Sequence, residues 1–209
     1  PAKTVRVIVP FPPGGSTDIL GRILARQFAA EFAQPFIVDN RAGANGNIGA
    51  AAVATAAPDG YTLMFCTTGP LVFNKFMYKT TPFDPANAFT PIAKVAEIPL
   101  VIAAHPSLPA KSFAELVALA KSRPGALTYA SPGNGSMGHL TAELVQRHAG
   151  VTLMHVPYKG SAPAQADLMS GVVDLSFDLA PTYAPQVKSG TLRGAVLSAS
   201  SSGDFSVAA

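Results

Sequence analysis

Tryptophan is absent from this 209-residue chain and cysteine occurs once, so no internal disulfide can form. Cys66, inside the apolar run TLMFC, reads as a buried small hydrophobe. Charge is scarce as well: Asp, Glu, Lys and Arg make up 13% of residues, the net charge is +3, and no two basic residues are adjacent. That excludes a polybasic nucleic-acid arm, which needs clustered cations to displace counterions, and leaves a mild bias toward anionic ligands. Long apolar runs are missing too. IGAAAVATAA (48–57) and IPLVIAA (98–104) fall far short of the roughly 20 residues of a membrane-spanning helix. The histidines, His105, His139, His148 and His155, show neither an H-E-x-x-H pattern nor His/Cys spacing, so no metal site is expected.

What the sequence does hold is a 48% apolar content in an order that alternates strand and helix signals. The β-branched run VRVIVPF (5–11) precedes a helix from Ser16 with Leu20, Leu24, Phe28 and Phe32 at i, i+4 spacing, ended by Pro35. FIVDN (36–40), an Ala-rich helix over 47–57 and YTLMFCTT (61–68) follow, which predicts three parallel strands. After a Pro-rich stretch (70–91), FTPIAKVAE and PLVIAAHP are expected to form a strand pair, with the domain crossover near residue 100. A capping box, Ser112 with Glu115, then opens a helix that stops before Pro124. LTYAS (127–131), VTLMHVPY (151–158), VDLSFD (173–178) and LRGAVLS (192–198), separated by helices over 137–149, 163–170 and 182–189, complete a second unit of five strands and four helices. The expected organisation is α/β throughout: residues 1–100, residues 101–200, and a polar tail over 201–209.

Each half carries an apolar strand that runs into a Gly/Ser loop opening a helix: VIVPFPPGGSTD and LTYASPGNGSMGH. In open α/β sheets ligands bind at the carboxyl ends of strands, where helix N-termini present amides. Gly14 and Gly15 let a ligand approach the backbone, while Ser16 and Thr17 offer hydroxyls, an arrangement suited to a carboxylate. A plain strand-to-helix turn reads equally well. Asp18 either caps its own helix or receives a ligand ammonium or hydroxyl. In the second loop Asn134, Ser136 and the amides of Gly135 to Met137 form a possible carboxylate seat. Gly133, Gly135 and Gly138 also match the dinucleotide pattern G-x-G-x-x-G, but no acidic residue ends the next strand.

A hydrolase assembled from Ser136, His139 and Asp178 lacks the nucleophile elbow, and His139 lies only three residues beyond Ser136 on the same helix. Tyr158 either closes over a ligand and donates its hydroxyl or forms a wall. Asp178 accepts from a ligand or caps the helix that follows it. Thr67 and Thr68 are the matching candidates at the end of YTLMFCTT.

The segments VRVIVPFPPGGSTDILGRILA, VDNRAGANGNIGAAAVATAAPDGYTLMF, LTYASPGNGSMGHLTAEL and HVPYKGSAPAQADLMSGVVDLSFD, in this order, resemble the Bug-type periplasmic solute-binding proteins of tripartite tricarboxylate transporters. The resemblance implies a two-lobed type II periplasmic binding (Venus-flytrap) fold and no catalysis or cofactor. It implies a small carboxylate held between the first-strand loop (Phe11, Pro13, Gly14, Gly15, Ser16, Asp18) and the Ser-Gly loop (Ser131, Gly133, Asn134, Gly135, Ser136). It further implies a monomer in the periplasm, its signal peptide removed, that hands ligand to membrane transporter subunits. A chain opening on Pro1-Ala2-Lys3 agrees with processing, although a trimmed chain would look the same. Where the family continues past LRGAVLS, this sequence has SASSSGDFSVAA, so the first lobe is expected to lack elements. The rival reading is an α/β enzyme using GNGSMG as a dinucleotide or oxyanion loop.

Overall fold

The computed structural model describes residues 1–199 and 205–208, in two compact units, Pro1–Lys94 and Val95–Ala209. In the first, β1 (Val5–Val9) lies between β2 (Phe36–Asn40) and β3 (Thr62–Met64), and both pairings are parallel. Val5, Val7, Ile8 and Val9 are buried, as a central parallel strand covered on both faces requires. β3 is shorter than expected because β1 hands over to Pro10, which has no N–H to continue the ladder past Phe65.

Helix α1 (Ser16–Phe32) crosses from β1 to β2 and buries Thr17, Asp18, Gly21 and Ala25 rather than the predicted Leu20–Phe32 stripe. A strict i, i+4 series drifts by about 40° per step on a helix of 3.6 residues per turn, so its far end leaves the sheet. Phe32 is 49% exposed, yet its ring packs with Phe28 and Phe36 at centroid distances of 6.1 and 5.8 Å and so fastens the end of α1 to β2. Helix α2 (Asn47–Ala54) follows a 3-10 turn (Ala44–Gly46) and is shorter than the expected 47–57. Gly49 makes its approach to the sheet possible, since a Cβ there would meet Pro10 and the Arg41 carbonyl at under 3 Å. A π-helical turn (Gly69–Phe73) leads into α3 (Asn74–Met77). The strand expected over FTPIAKVAE does not form. Pro91 removes a ladder donor there, and Ile92 and Val95 stand exposed.

The second unit is a six-stranded sheet in the order β6-β5-β7-β4-β8-β9. Its strands are β4 (Leu100–Ala104), β5 (Thr128–Ser131), β6 (Met154–Pro157), β7 (Leu175–Leu179), β8 (Arg193–Ala199) and β9 (Phe205–Ala208). β5 pairs in parallel with β6 and β7, whereas β4 runs antiparallel to β7 and β8. Within the expected polar tail Phe205–Ala208 forms a strand antiparallel to β8, since an edge strand offers a free ladder to an extended segment. Residues 201–204 and 209 of that tail lie outside the described residues.

Helices α4 (Phe113–Ser122), α5 (Met137–Ala149), α6 (Ser161–Met169) and α7 (Ala180–Lys188) connect the strands. One core gathers Ile102, Leu127, Tyr129, Val145, Leu175 and Phe177, and the other Val101, Ala103, Ala130, Leu168 and Tyr183. Neighbours on β4 and β5 thus face opposite layers, the period of two expected of a strand buried on both sides.

Gly138, in the first turn of α5, sits against the Phe177 carbonyl with no room for a Cβ. Gly138→Ala should destabilise the protein by about 2–3 kcal/mol in chemical denaturation. Gly150→Ala, at a left-handed helix end with open space around it, should cost about 1 kcal/mol. Equal losses would show that the α5 contact yields easily.

Candidate functional site

In the first unit the parallel sheet brings the carboxyl ends of β1, β2 and β3 to one edge, with the Pro10–Gly15 loop above it. Asp18 is 4% exposed and fully engaged there. Its Oδ2 accepts from the Gly14 amide at 3.0 Å and from Arg22 Nε at 3.0 Å, and its Oδ1 accepts from Asn40 Nδ2 at 2.9 Å. Burial alone would raise this carboxyl, but the hydrogen bonds from Arg22, Gly14 and Asn40 outweigh it and hold it below the ordinary value. Asp18 therefore locks the loop that precedes its helix.

Asn40, which sequence reasoning passed over, also donates to the Phe11 carbonyl at 3.0 Å. The only signal for it was a polar residue ending FIVDN. Phe11 and Gly15 are half-buried, Pro13 and Gly14 exposed, and Ser16 and Thr17 buried at the start of α1, whose first turn no side chain caps. Thr67 is half-buried and Thr68 exposed beyond β3. Cys66 is half-buried rather than buried, and desolvation pushes its thiol up to about 12. A second polar cluster went unseen: Asn74 Nδ2 donates to the Asn45 carbonyl at 3.0 Å and to Asn47 Oδ1 at 2.6 Å.

In the second unit β6, β5 and β7 are parallel neighbours, so Ser131–Ser136, Tyr158–Ser161 and Asp178 meet at one edge. Fully buried Ser131 contacts His155 Nε2 at 2.7 Å, and its Oγ accepts from the Gly133 amide at 3.2 Å. Ser136 Oγ caps α5 by accepting from the His139 amide at 3.2 Å. Gly133 and Gly135 have left-handed φ of 142° and 76°, so two of the three pattern glycines serve the turn and Gly138 serves helix packing.

The amide seat expected over Gly135–Met137 is partly spent. The Gly135 N–H goes to His139 Nδ1 at 3.0 Å and the Ser136 N–H to the Gly133 carbonyl at 3.1 Å, because a tight turn must satisfy its own backbone. Exposed Asn134 and the Ser136 hydroxyl proton remain for a ligand. Tyr158 does not offer its hydroxyl: it donates to Asp167 at 2.6 Å, which with burial raises it to about 12.

Ser136, His139 and Asp178 do not form a relay. Ser136 Oγ bonds the backbone of His139, while the ring reaches Gly135 and, at 3.9 Å, Glu143. Asp178 is buried, and its Oδ1 accepts from the Leu179 amide at 2.7 Å. Its Oδ2 has no partner among the described residues. Burial raises the carboxyl to about 6, a push softened by the hydroxyl of Ser161, the Leu179 amide and the hydroxyl of Thr182. A cavity of about 180 Å³ between α4 and the β4, β7 and β8 face, lined by Ile102, Leu108, Phe113, Leu116 and Arg193 among others, includes none of these residues.

A carboxyl at about 6 in the fold and about 4 in the unfolded chain contributes stability fully below about pH 4 and loses it as pH rises through 6. Asp178→Asn cannot ionise, so it should gain on the unmodified protein by roughly 3 kcal/mol between about pH 4 and pH 7.5 in urea denaturation. Parallel pH profiles would mean that the carboxyl is solvated.

Residues 20–206 match the model of the tripartite tricarboxylate transporter family receptor. The protein BugT of Bordetella pertussis is 41% identical over 207 residues, which are 98% of this chain and 64% of BugT, so the chain spans just under two thirds of that relative. Among solved structures, R. palustris Rpa4515 with adipate superposes with a TM-score of 0.91 at 41% identity, covering 94% of this chain and 66% of that one. The periplasmic binding protein BugD does so with 0.84 at 34% identity, covering 95% and 66%. The family match over residues 20–206, with these identities over nearly all of this chain, makes it a member of the tripartite tricarboxylate transporter receptor family, the Bug-type solute-binding proteins.

Proposed function

We propose that the protein captures a small dicarboxylate without altering it and delivers it to the membrane subunits of a tripartite tricarboxylate transporter in the periplasm, acting as a monomer. In the first unit the first turn of α1, with Gly14, Gly15, Ser16 and Thr67, offers a seat for a carboxylate, and in the second unit Asn134 and Ser136 at the start of α5 offer another, where the macrodipole favours an anion. Asp178 Oδ2, one of three buried side-chain polar atoms without a hydrogen-bond partner among the described residues, serves a hydroxyl or amine of the ligand.

The observation that carries this reading is that the other acid and bases at the two edges are already committed to loop geometry: Asp18 to Gly14, His139 to Gly135, His155 to Ser131. That leaves hydrogen-bond donors and no assembled proton relay. Adipate in Rpa4515 supports the ligand class.

Titration calorimetry with C4 to C6 dicarboxylates, aromatic carboxylates, acidic amino acids and NAD tests it. A dicarboxylate should give saturable heat, and Ser136→Ala should weaken it about fivefold or more, the loss of one hydrogen bond of about 1 kcal/mol. Saturable heat with NAD, or turnover of an ester, would overturn the proposal in favour of an enzyme.

A further inference from the structure

Three helices of this protein open in the same way. The side chain at the third helical position reaches back to the amide of the residue just before the N-cap. Asp18 accepts from Gly14 at 3.0 Å, Glu115 from Lys111 at 2.6 Å, and His139 from Gly135 at 3.0 Å. In the first two the acceptor is a carboxylate. In the third it is an imidazole, which can accept only through an unprotonated nitrogen.

We propose that His139 is a positioning residue for ligand capture: as a neutral ring it holds the Gly133–Ser136 turn in its binding shape, and taking up a proton releases that turn. The inference rests on the carboxylate-binding reading of this loop.

The bonds around the ring assign its state. Because Nδ1 accepts, the ring proton sits on Nε2, 3.9 Å from Glu143 Oε1. His155 stacks on the ring at 4.3 Å and 8°, and Tyr129 stacks on the far side of His155 at 4.7 Å and 15°. Ser131 Oγ has three polar neighbours. They are the Gly133 amide and carbonyl, each at 3.2 Å, and His155 Nε2 at 2.7 Å, and a hydroxyl can donate to or accept from Nε2, so the His155 contact persists in either state of that ring. A proton added to His139, by contrast, sets an N–H against the Gly135 N–H.

The titratable groups facing His139 are Glu143 on its own helix, His155 on β6 and, through Glu143, the Tyr129 hydroxyl on β5. The same residue also holds Ser136, whose Oγ accepts the His139 amide. Loss of the ring contact thus releases the Gly135 amide, which lies between the two loop residues offered to a ligand.

Adipate titrations between about pH 5.5 and pH 8 on the unmodified protein, His139→Asn and His139→Phe provide the test. Asn places a non-titrating oxygen near the Nδ1 position, and Phe keeps a stacking ring without an acceptor. The unmodified protein should lose affinity relative to His139→Asn by about tenfold at the acid end, a ratio that cancels the titration of adipate itself. His139→Phe should bind weakly throughout. Identical profiles for the unmodified and Asn proteins, or full affinity in His139→Phe, would overturn the inference. Hydrogen exchange of the Gly135 amide reads the turn without ligand: protection should fall on acidification in the unmodified protein but persist in His139→Asn, and protection that tracks neither change overturns the inference even if adipate fails to bind at any pH.

Discussion

A strand that hands over to a helix within a few residues leaves backbone amides with no ladder partner, and the architecture of both loop-bearing edges follows from how those amides are satisfied. Here one side chain, three residues into the helix, bends back to the residue before the N-cap. Asp18 does this above β1 and His139 above β5. Because the acceptor belongs to the helix and the donor to the loop, the turn and the helix N-terminus move as one piece. Small residues then let that piece sit close to its sheet: Gly21 against Val9, and Gly138 against the Phe177 carbonyl.

This arrangement explains how the ionisable groups at both edges are used. Most of them are structural acceptors or donors, consumed by the loop they stabilise. Asp18 is held ionised by Arg22 and Asn40, and burial, with His139 beside it, lowers the His155 imidazole below its ordinary value. Asp178 differs, since one of its oxygens remains unpaired in a buried position where such an atom costs about 1–3 kcal/mol.

Much of the layout was legible in local patterns. Alternating apolar runs located the strands, the Ser112–Glu115 capping box located the start of α4, and Gly150, with its left-handed φ of 63°, ends α5. The failures have physical causes. FTPIAKVAE has strand-like residues but no partner ladder among the described residues, and β-propensity without a neighbour is weak. The Leu20–Phe32 stripe overstated burial because it followed side-chain size, whereas a close helix-to-sheet approach selects Gly21 and Ala25.

The binding edges divide along the same line. The sequence by itself determined where two glycine-lined turns open helices, since backbone conformation at Gly14, Gly133 and Gly135 is a local property. Only the tertiary structure decided which groups in those turns are already used. Asn40 lies 29 residues from the Phe11 carbonyl it binds, and His155 lies 24 from Ser131. Hydrogen bonds of that span depend on how strands are ordered in a sheet, and strand order leaves no trace in the spacing of residues along the chain.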